Sequence, residues 1–314
     1  MKAAVAAESA VRPAPLSAST RWALSAYFVT VWGGGFVATR LALEVAAPFT
    51  YLGVRYAIAF GVALIAFGWR ARWPTTGVQW GHVAVAGLLS HAGYLGGSHY
   101  AQQWGLSAGV TALILALQPL ATAVIVSRWL GVRLSRLQMA GVAVGLAGVA
   151  LVVAHRVDAA ALSMASLLAV GWALACVTAG TLYQRQFCHD VDLRSAVCIH
   201  FAATAALMLP LGALVEGFAI QWVPQIGWTL LYHVVPASIG AYSILHLLLR
   251  RGEATGVTSL LYLTPPVAAI AEWAIYGVAP SGVMWAGMLV ACIGVAMVTS
   301  SRAARKLPIV EETS

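Results

Sequence analysis

The second half of the chain repeats the first half at a nearly constant distance, and this duplication limits the possible folds more than any other feature. The stretch 107–153 has a later counterpart that begins near residue 254. The earlier copies are Gly109, Val110, Thr111 and Pro119, which recur 147 positions later, and Gly131, Gly141 and Gly148, which recur 146 positions later. An offset held across several helices predicts a duplicated fold with two related halves.

The composition indicates a chain that lies in a lipid bilayer. Hydrophobic residues make up 61% of the sequence and charged residues only 9%, with a mean hydropathy of +0.85. A water-soluble globule of this size would need more polar surface. The net charge of +8 is spread along the chain, which argues against nucleic-acid binding. The four cysteines have no C-x-x-C spacing, so we expect no disulfide, metal or cofactor.

Ten apolar segments follow one another, each close to the length of a membrane-spanning helix. A helix needs about 20 residues to cross about 30 Å of hydrocarbon, and short connections make neighbouring helices antiparallel. Residues 1–20 and 302–314 are predicted to be cytosolic tails, the first of them flexible. The predicted segments are 22–41, 50–69, 79–103, 107–128, 137–154, 161–183, 195–214, 226–248, 253–276 and 281–300.

The arginines and lysines predict the orientation, because positively charged loops stay in the cytoplasm. With the N-terminus inside, 15 of the 18 fall on the inner side, two fall outside and Arg55 lies within the membrane. Five helices in each half is an odd number, which inserts the second half upside down. We therefore predict an all-α multi-pass membrane protein with both termini cytoplasmic. Residues 21–155 and 156–301 are its two inverted five-helix repeats.

Several motifs occur in the order seen in a known transporter family. They are W-G-G-G-F at 32–36, Pro48 and Arg55 in the second segment, S-A-G-V-T-A-L with Q-P in the fourth, and the glycine-rich fifth segment. Over 22–300 the chain resembles the drug/metabolite transporter superfamily, in particular its ten-helix EamA branch and the bacterial exporters of aromatic and other neutral amino acids. The resemblance implies a location in the bacterial inner membrane and a central substrate cavity lined mostly by helices among the first four of each half. Val132 and Val278 stand where the family often has Glu, so no role is transferred from those acids.

Polar side chains inside apolar segments are costly in hydrocarbon and therefore indicate function. In three segments they recur at helical spacing and share one face of the helix. These faces contain His91, Tyr94, Ser98 and Gln102 in the third segment, Thr111, Gln118 and Thr122 in the fourth, and Thr258, Tyr262, Pro265 and Glu272 in the ninth. Three such faces predict a shared aqueous cavity.

Two histidines, His99 and His246, are related by the repeat offset of 147, and Tyr242 lies one turn before His246. Neutral imidazole both donates and accepts hydrogen bonds, so this pair could bind a substrate carboxylate or relay a proton. Alternatively, each histidine only ties helices together.

Arg55 is the one cation predicted well inside the membrane, and His200 occupies the equivalent position of the second half. The guanidinium could form an ion pair or gate with Glu44 or Glu272, or it could receive the carboxylate of a substrate. We favour the ion pair or gate, since nothing in the sequence places Arg55 at the centre of the protein.

Prolines and aromatic residues complete the candidate site. Pro119, Pro265 and Pro266 fall inside apolar segments, where proline kinks a helix and frees carbonyls that could face a substrate or serve only packing. Aromatic residues near the middle of the membrane could form a stacking pocket for a planar or apolar side chain. The predicted substrate-binding set is Trp32, Tyr94, Ser98, His99, Tyr100, Gln118, Trp172, Tyr242, His246 and Tyr262. Gly141, Gly145 and Gly148 indicate close helix packing instead.

Missing motifs narrow the function. The first segment has no acid of the kind that small multidrug transporters use, and the chain has no P-loop and no H-E-x-x-H zinc motif. We predict a transporter, not an enzyme, that exports small metabolites, with aromatic or other neutral amino acids leading, by alternating access. The alternatives are an exporter of a sugar, nucleoside or drug-like compound and an intramembrane enzyme. The expected partners are a small-molecule substrate and the lipid bilayer, without nucleic acid, and a monomer is compatible with this function.

Overall fold

The computed structural model describes residues 17–129, 134–157, 163–241, 244, 260–277 and 279–300. Within these residues all regular secondary structure is helical, apart from an isolated β-bridge between Ala46 and Ile220. Tyr242 and His246 of the predicted site lie outside the described residues.

Up to residue 157 the described chain forms seven α-helices. They are α1 (Ala18–Leu43), α2 (Pro48–Phe67), α3 (Gly77–Gly87), α4 (Tyr94–Gln103), α5 (Ala108–Leu115), α6 (Gln118–Trp129) and α7 (Arg136–Val157). A first π-helical segment, Leu88–Gly93, joins α3 to α4, so that 77–103 is helical throughout.

Five further α-helices are described after residue 162. They are α8 (Met164–Phe187), α9 (Leu193–Glu216), α10 (Pro224–Tyr232), α11 (Thr264–Tyr276) and α12 (Gly282–Ser300). A second π-helical segment, His233–Ala241, continues α10.

Local sequence signals set several helix ends. The side chains of Ser107, Ser163 and Asp192 each accept a hydrogen bond from the first turn of the following helix, namely α5, α8 and α9. Such caps satisfy backbone donors that have no partner within the helix. At the other end, Gly217 and Gly277 follow α9 and α11 with φ of 61° and 72°, a left-handed conformation that glycine adopts at low cost.

Seven stretches of the described chain are long and apolar enough to cross a membrane. They are Trp22–Leu43, Pro48–Arg70, Ala108–Trp129, Arg136–Ala154, Met164–Phe187, Leu193–Glu216 and Gly282–Thr299. The three other predicted segments, 79–103, 226–248 and 253–276, contain helix wherever the structure describes them except at a turn over 262–263.

The fourth predicted segment consists of two helices rather than one kinked helix. After α5 ends at Leu115, a turn precedes α6, and Pro119 lies in the first turn of α6. Pro265 and Pro266 likewise lie in the first turn of α11, behind a turn at 262–263. Proline lacks a backbone N–H. This costs little in the first turn of a helix, because an N–H there has no acceptor within the helix. A break in front of each proline therefore replaces the predicted kinks.

Two long helix pairs, α7 with α12 and α2 with α9, join the two halves of the chain. A Cβ at Gly141, Gly148 or Gly294 would lie against the backbone of the opposite helix in the α7–α12 pair. Gly53 and Gly212 do the same for α2 and α9. Small residues let helix backbones approach closely within a bilayer. The predicted packing role of the glycines in the fifth segment is confirmed.

Candidate substrate cavity

A cavity of about 360 Å³ lies between the helices, within the usual size range of small-molecule sites. Its wall comes from both halves of the chain: α1, α2, α4, α5, α6 and the first π-helical segment, and then α8, α9, the second π-helical segment and the residues leading into α11. The described residues of α7 and α12 do not line it. The cavity is therefore enclosed by elements that come before and after the midpoint of the chain.

One wall of the cavity is polar and is built around Tyr56 and His91. The Tyr56 hydroxyl lies 2.9 Å from Nδ1 of His91, and the His91 ring centroid lies 5.5 Å from that of His200. His91 belongs to the first π-helical segment, and π-bulges are frequent at functional sites. Gly87 lets α9 approach, because a Cβ there would lie 2.6 Å from Cα of His200. Side chains of α2, the π-helical segment and α9 thus form one continuous polar surface.

His233, which the sequence analysis missed, joins three helices beside the cavity. Its Nδ1 is 2.6 Å from the Tyr51 hydroxyl and 3.0 Å from the carbonyl oxygen of Thr229, and its Nε2 is 3.1 Å from that of Gly35. Both ring nitrogens therefore have partners, and the residue ties α1 and α2 to the second half of the chain. A histidine inside the apolar segment 226–248 was the signal that could have identified it.

Four residues that line the cavity have buried polar atoms without a hydrogen-bond partner in the described structure. These atoms are Nε of Arg55, both ring nitrogens of His99, Nε2 of His200 and Oγ1 of Thr264. Buried polar groups are nearly always paired, and an unpaired charge is the most costly kind. The cavity therefore offers donors and acceptors that a ligand could satisfy.

Hydrophobic side chains form the rest of the wall, among them Trp32, Phe36, Tyr94, Leu115 and Tyr262. Trp32 also packs against Phe28, with ring centroids 5.3 Å apart. Rings beside polar groups suit a ligand that has an apolar body and a polar end.

Six of the ten predicted substrate-binding residues line this cavity. They are Trp32, Tyr94, Ser98, His99, Gln118 and Tyr262, and Arg55 and Pro119 line it as well. Within the cavity the Gln118 amide donates a hydrogen bond of 2.7 Å to the Thr181 hydroxyl.

Two predicted residues, Tyr100 and Trp172, do not line the cavity. The Tyr100 hydroxyl donates a 2.6 Å hydrogen bond to Glu216, and its ring packs on Phe49. Trp172 points outward from α8 and is 62% exposed in the isolated chain. The structure places both rings outside this cavity, so its lining does not support their assignment to the substrate-binding set, which stays a prediction.

Glu272 is in an ion pair, but its partner is Arg40 of α1 rather than Arg55. The carboxylate also accepts hydrogen bonds of 3.2 Å from the backbone N–H groups of Ala108 and Gly109, at the start of α5. A helix N-terminus favours negative charge, so the buried carboxylate is stabilised by both contacts. Glu272 therefore links α11 to α1 and α5.

Glu216 makes an equivalent contact at the start of α2. It accepts hydrogen bonds from the backbone N–H groups of Phe49 and Thr50, at 2.9 and 2.8 Å. In both cases a glutamate from the second half of the chain caps a helix of the first half.

Apolar helices around a central cavity whose wall comes from both halves of the chain define a membrane transporter. The chain belongs to the EamA-like transporter family, whose model matches residues 20–154 and again residues 161–300. The double match agrees with the internal repeat.

Several proteins are similar to this chain over nearly their full length. The "Uncharacterized transporter YvbV" of Bacillus subtilis is 26% identical, over 90% of this chain and 92% of that protein. A "Probable terminal-alkyne amino-acid exporter" of Streptantibioticus cattleyicolor is 26% identical, over 91% of this chain and 95% of that protein. A "Probable amino-acid metabolite efflux pump" of Salmonella typhimurium is 25% identical, over 86% and 92%. A solved crystal structure superposes with a TM-score of 0.62 at 20% identity, over 90% of this chain and 97% of the other, which shows a shared fold.

Proposed function

We propose that the protein exports small metabolites by alternating access, with aromatic or other neutral amino acids as its substrates. The observation that carries this proposal is the cavity, in which aromatic rings lie beside polar groups that have no hydrogen-bond partner among the described residues. The amino-acid exporter and the efflux pump among the relatives support it. In this proposal Trp32, Tyr94 and Tyr262 contact the side chain of the substrate, while Ser98, His99 and Gln118 contact its polar end.

We further propose ten membrane spans in two inverted repeats, 21–155 and 156–301, in the bacterial inner membrane with both termini in the cytoplasm. Helix packing supports the pairing of the halves. The third span packs on the sixth through α4 and α8, and the eighth packs on the first through the second π-helical segment and α1. In two five-span repeats, the third span corresponds to the eighth and the sixth to the first. The two contacts are therefore equivalent, as a duplicated fold predicts. The concentration of Arg and Lys on one side supports the orientation.

Glu272 and Glu216 supply a candidate outer gate. With the N-terminus inside, the starts of α2 and α5 and the ends of α9 and α11 all lie on the outer side. The capping contacts of Glu272 and Glu216 therefore hold the outer ends of the two halves together. Rocking of the halves toward an outward-facing state would have to break them.

No catalytic step is part of this proposal. The described lining has no Asp or Glu to act as an acid or base beside the histidines. An exporter of a sugar, nucleoside or drug-like compound remains the alternative substrate class, and the flux assay separates it from amino-acid export.

The test is uptake of labelled phenylalanine, threonine and a neutral sugar into proteoliposomes of the purified protein, with and without a pH gradient. We expect saturable phenylalanine uptake that His99→Ala lowers by about tenfold or more, since His99 has two unpaired nitrogens in the cavity. His189→Ala is the matched control, because that histidine is half exposed outside the cavity. Sugar uptake without amino-acid uptake would refute the substrate assignment.

A further inference from the structure

The starting point is the guanidinium of Arg55, which lies over the ring of Tyr56 and has no acidic partner in the described structure. We infer that the cavity binds its substrate through a carboxylate held at Arg55, while its described lining offers no acidic side chain to an ammonium group, so that its preferred ligands are aromatic monocarboxylates. This inference rests on the proposed function and names the chemical class of ligand at the same site.

Arg55 is buried in the wall of the cavity with no counter-ion in the described structure. The residue is only 7% exposed, its Nε has no hydrogen-bond partner, and Glu272, one of its predicted partners, is bound to Arg40. Removing an uncompensated charge from water is unfavourable, so a ligand that supplies a negative charge is stabilised there. Carboxylates match the planar guanidinium because both can form two parallel hydrogen bonds.

His99 is the available second donor beside Arg55. Arg55, His99 and His233 line the same cavity. Tyr51, one turn before Arg55 in α2, has its ring centroid 6.1 Å from that of His99 and 5.7 Å from that of His233. His233 already bonds through both ring nitrogens, whereas neither ring nitrogen of His99 has a side-chain partner among the described residues, where the backbone of Leu95, one turn earlier, lies near the ring. A neutral imidazole has one N–H, which can donate to a carboxylate oxygen that Arg55 leaves free.

An α-ammonium group finds no charged partner in this arrangement. In an α-amino acid the ammonium is bonded to the carbon next to the carboxylate, so binding at Arg55 brings it near the same positive charge. The described lining contains no Asp or Glu that could receive it. The zwitterion is therefore accepted with a penalty, and a carboxylate without the amino group binds more tightly.

The apolar part of the wall explains the preference for an aromatic body. Trp32, Phe36, Leu115 and Leu261 line the same cavity as Arg55. A ring attached by a short chain to the carboxylate can lie against these side chains while its charge remains at Arg55.

Three ligands that share a phenyl ring and a chain of the same length, but differ in their charged groups, test the inference. They are phenylalanine, 3-phenylpropionate and phenethylamine. Binding to the purified full-length protein in detergent is measured by isothermal titration calorimetry, because uncharged phenylpropionic acid crosses bilayers unaided. We expect the Kd of 3-phenylpropionate to be about tenfold below that of phenylalanine, with no detectable binding of phenethylamine. Tighter binding of phenethylamine than of 3-phenylpropionate would overturn the inference.

Variants of Arg55 test whether the guanidinium is the group responsible. Arg55→Gln should weaken 3-phenylpropionate binding by about thirtyfold, and Arg55→Lys, which retains the charge, by about fivefold. Arg194→Gln, on the exposed start of α9, is the control that should change nothing. Gel filtration and thermal unfolding show whether each variant folds. If Arg55→Gln does not fold, the binding affinity of Arg55→Lys is the test. Unchanged affinity for 3-phenylpropionate in a folded Arg55→Gln protein would contradict the assignment. If Arg55→Gln does not fold, an Arg55→Lys protein that binds as tightly as the Arg194→Gln control would contradict it.

The outcome also separates this inference from the proposed function. If phenylalanine is transported and binds more tightly than 3-phenylpropionate, the carboxylate inference is wrong and amino-acid export stands. If none of the three ligands binds and no amino acid is transported, both are wrong.

Discussion

The Glu272–Arg40 pair offers a direct test of the proposed gate through the substitution Glu272→Gln. Breaking a buried ion pair from one side costs about 3–5 kcal/mol. The Arg40 side chain is 37% exposed and can rehydrate, which lowers that cost to about 2 kcal/mol. Loss of the charged acceptor at the start of α5 adds about 1 kcal/mol. The total of about 3 kcal/mol corresponds to about a hundredfold change in an equilibrium between closed and open states.

The assay is labelling of a single cysteine, Ser98→Cys, in the cavity wall, after replacement of the four native cysteines. A membrane-impermeant maleimide is added to right-side-out and, separately, to inside-out vesicles. If Glu272 closes the outer side, Glu272→Gln should speed labelling from the outside by up to about a hundredfold. Asp190→Asn is the control, since the Asp190 side chain is 79% exposed and pairs with its own neighbour His189, a contact that does not join the two halves of the chain.

Three results would refute the gate. Labelling from the outside could stay unchanged in Glu272→Gln, or it could rise equally in Asp190→Asn. An increase seen only in inside-out vesicles would place Glu272 on the cytoplasmic side and reverse the proposed orientation.

Two further predictions concern packing and the cavity wall. Gly294→Ala should lower the free energy of unfolding by about 2 kcal/mol in an SDS titration, because its methyl group would meet the backbone of α7. Gly171→Ala has open space and should instead raise it by up to about 1 kcal/mol, and equal effects would contradict the packing argument. Trp32→Ala should reduce phenylalanine flux by about tenfold, through loss of a ring that lines the cavity, whereas Trp172→Ala should leave flux unchanged. A loss of flux in Trp172→Ala alone would argue against this cavity as the site.

Much of the fold follows from short-range patterns that a sequence displays directly. The transfer of apolar side chains out of water acts on each segment by itself, so the positions of helices such as α2, α8 and α9 agree closely with the apolar segments. Proline and glycine act locally as well, although they act by breaking helices. Pro119 begins a new helix because a first turn tolerates its missing N–H, which a pattern of apolar residues does not reveal.

The polar helix faces that border the cavity were the part of the candidate site that could be predicted from the sequence. Helical spacing shows that Tyr94 and Ser98 share one side of a helix, and both line the cavity. The same reasoning identified Arg55 and His99 as costly residues for a membrane interior. It did not show which of them have partners.

Only the tertiary structure decided what each helix face meets. Spacing assigns residues to a face, but the rotation of a helix in the bundle depends on packing against helices that are distant in the chain. That rotation puts Trp32 in the cavity and Trp172 on the outer surface. It also pairs Glu272 with Arg40, 232 residues away, and leaves Arg55 without a counter-ion in the described structure. The sequence by itself therefore determined a duplicated membrane transporter and its costly polar residues, whereas long-range packing decided which of those residues line the cavity.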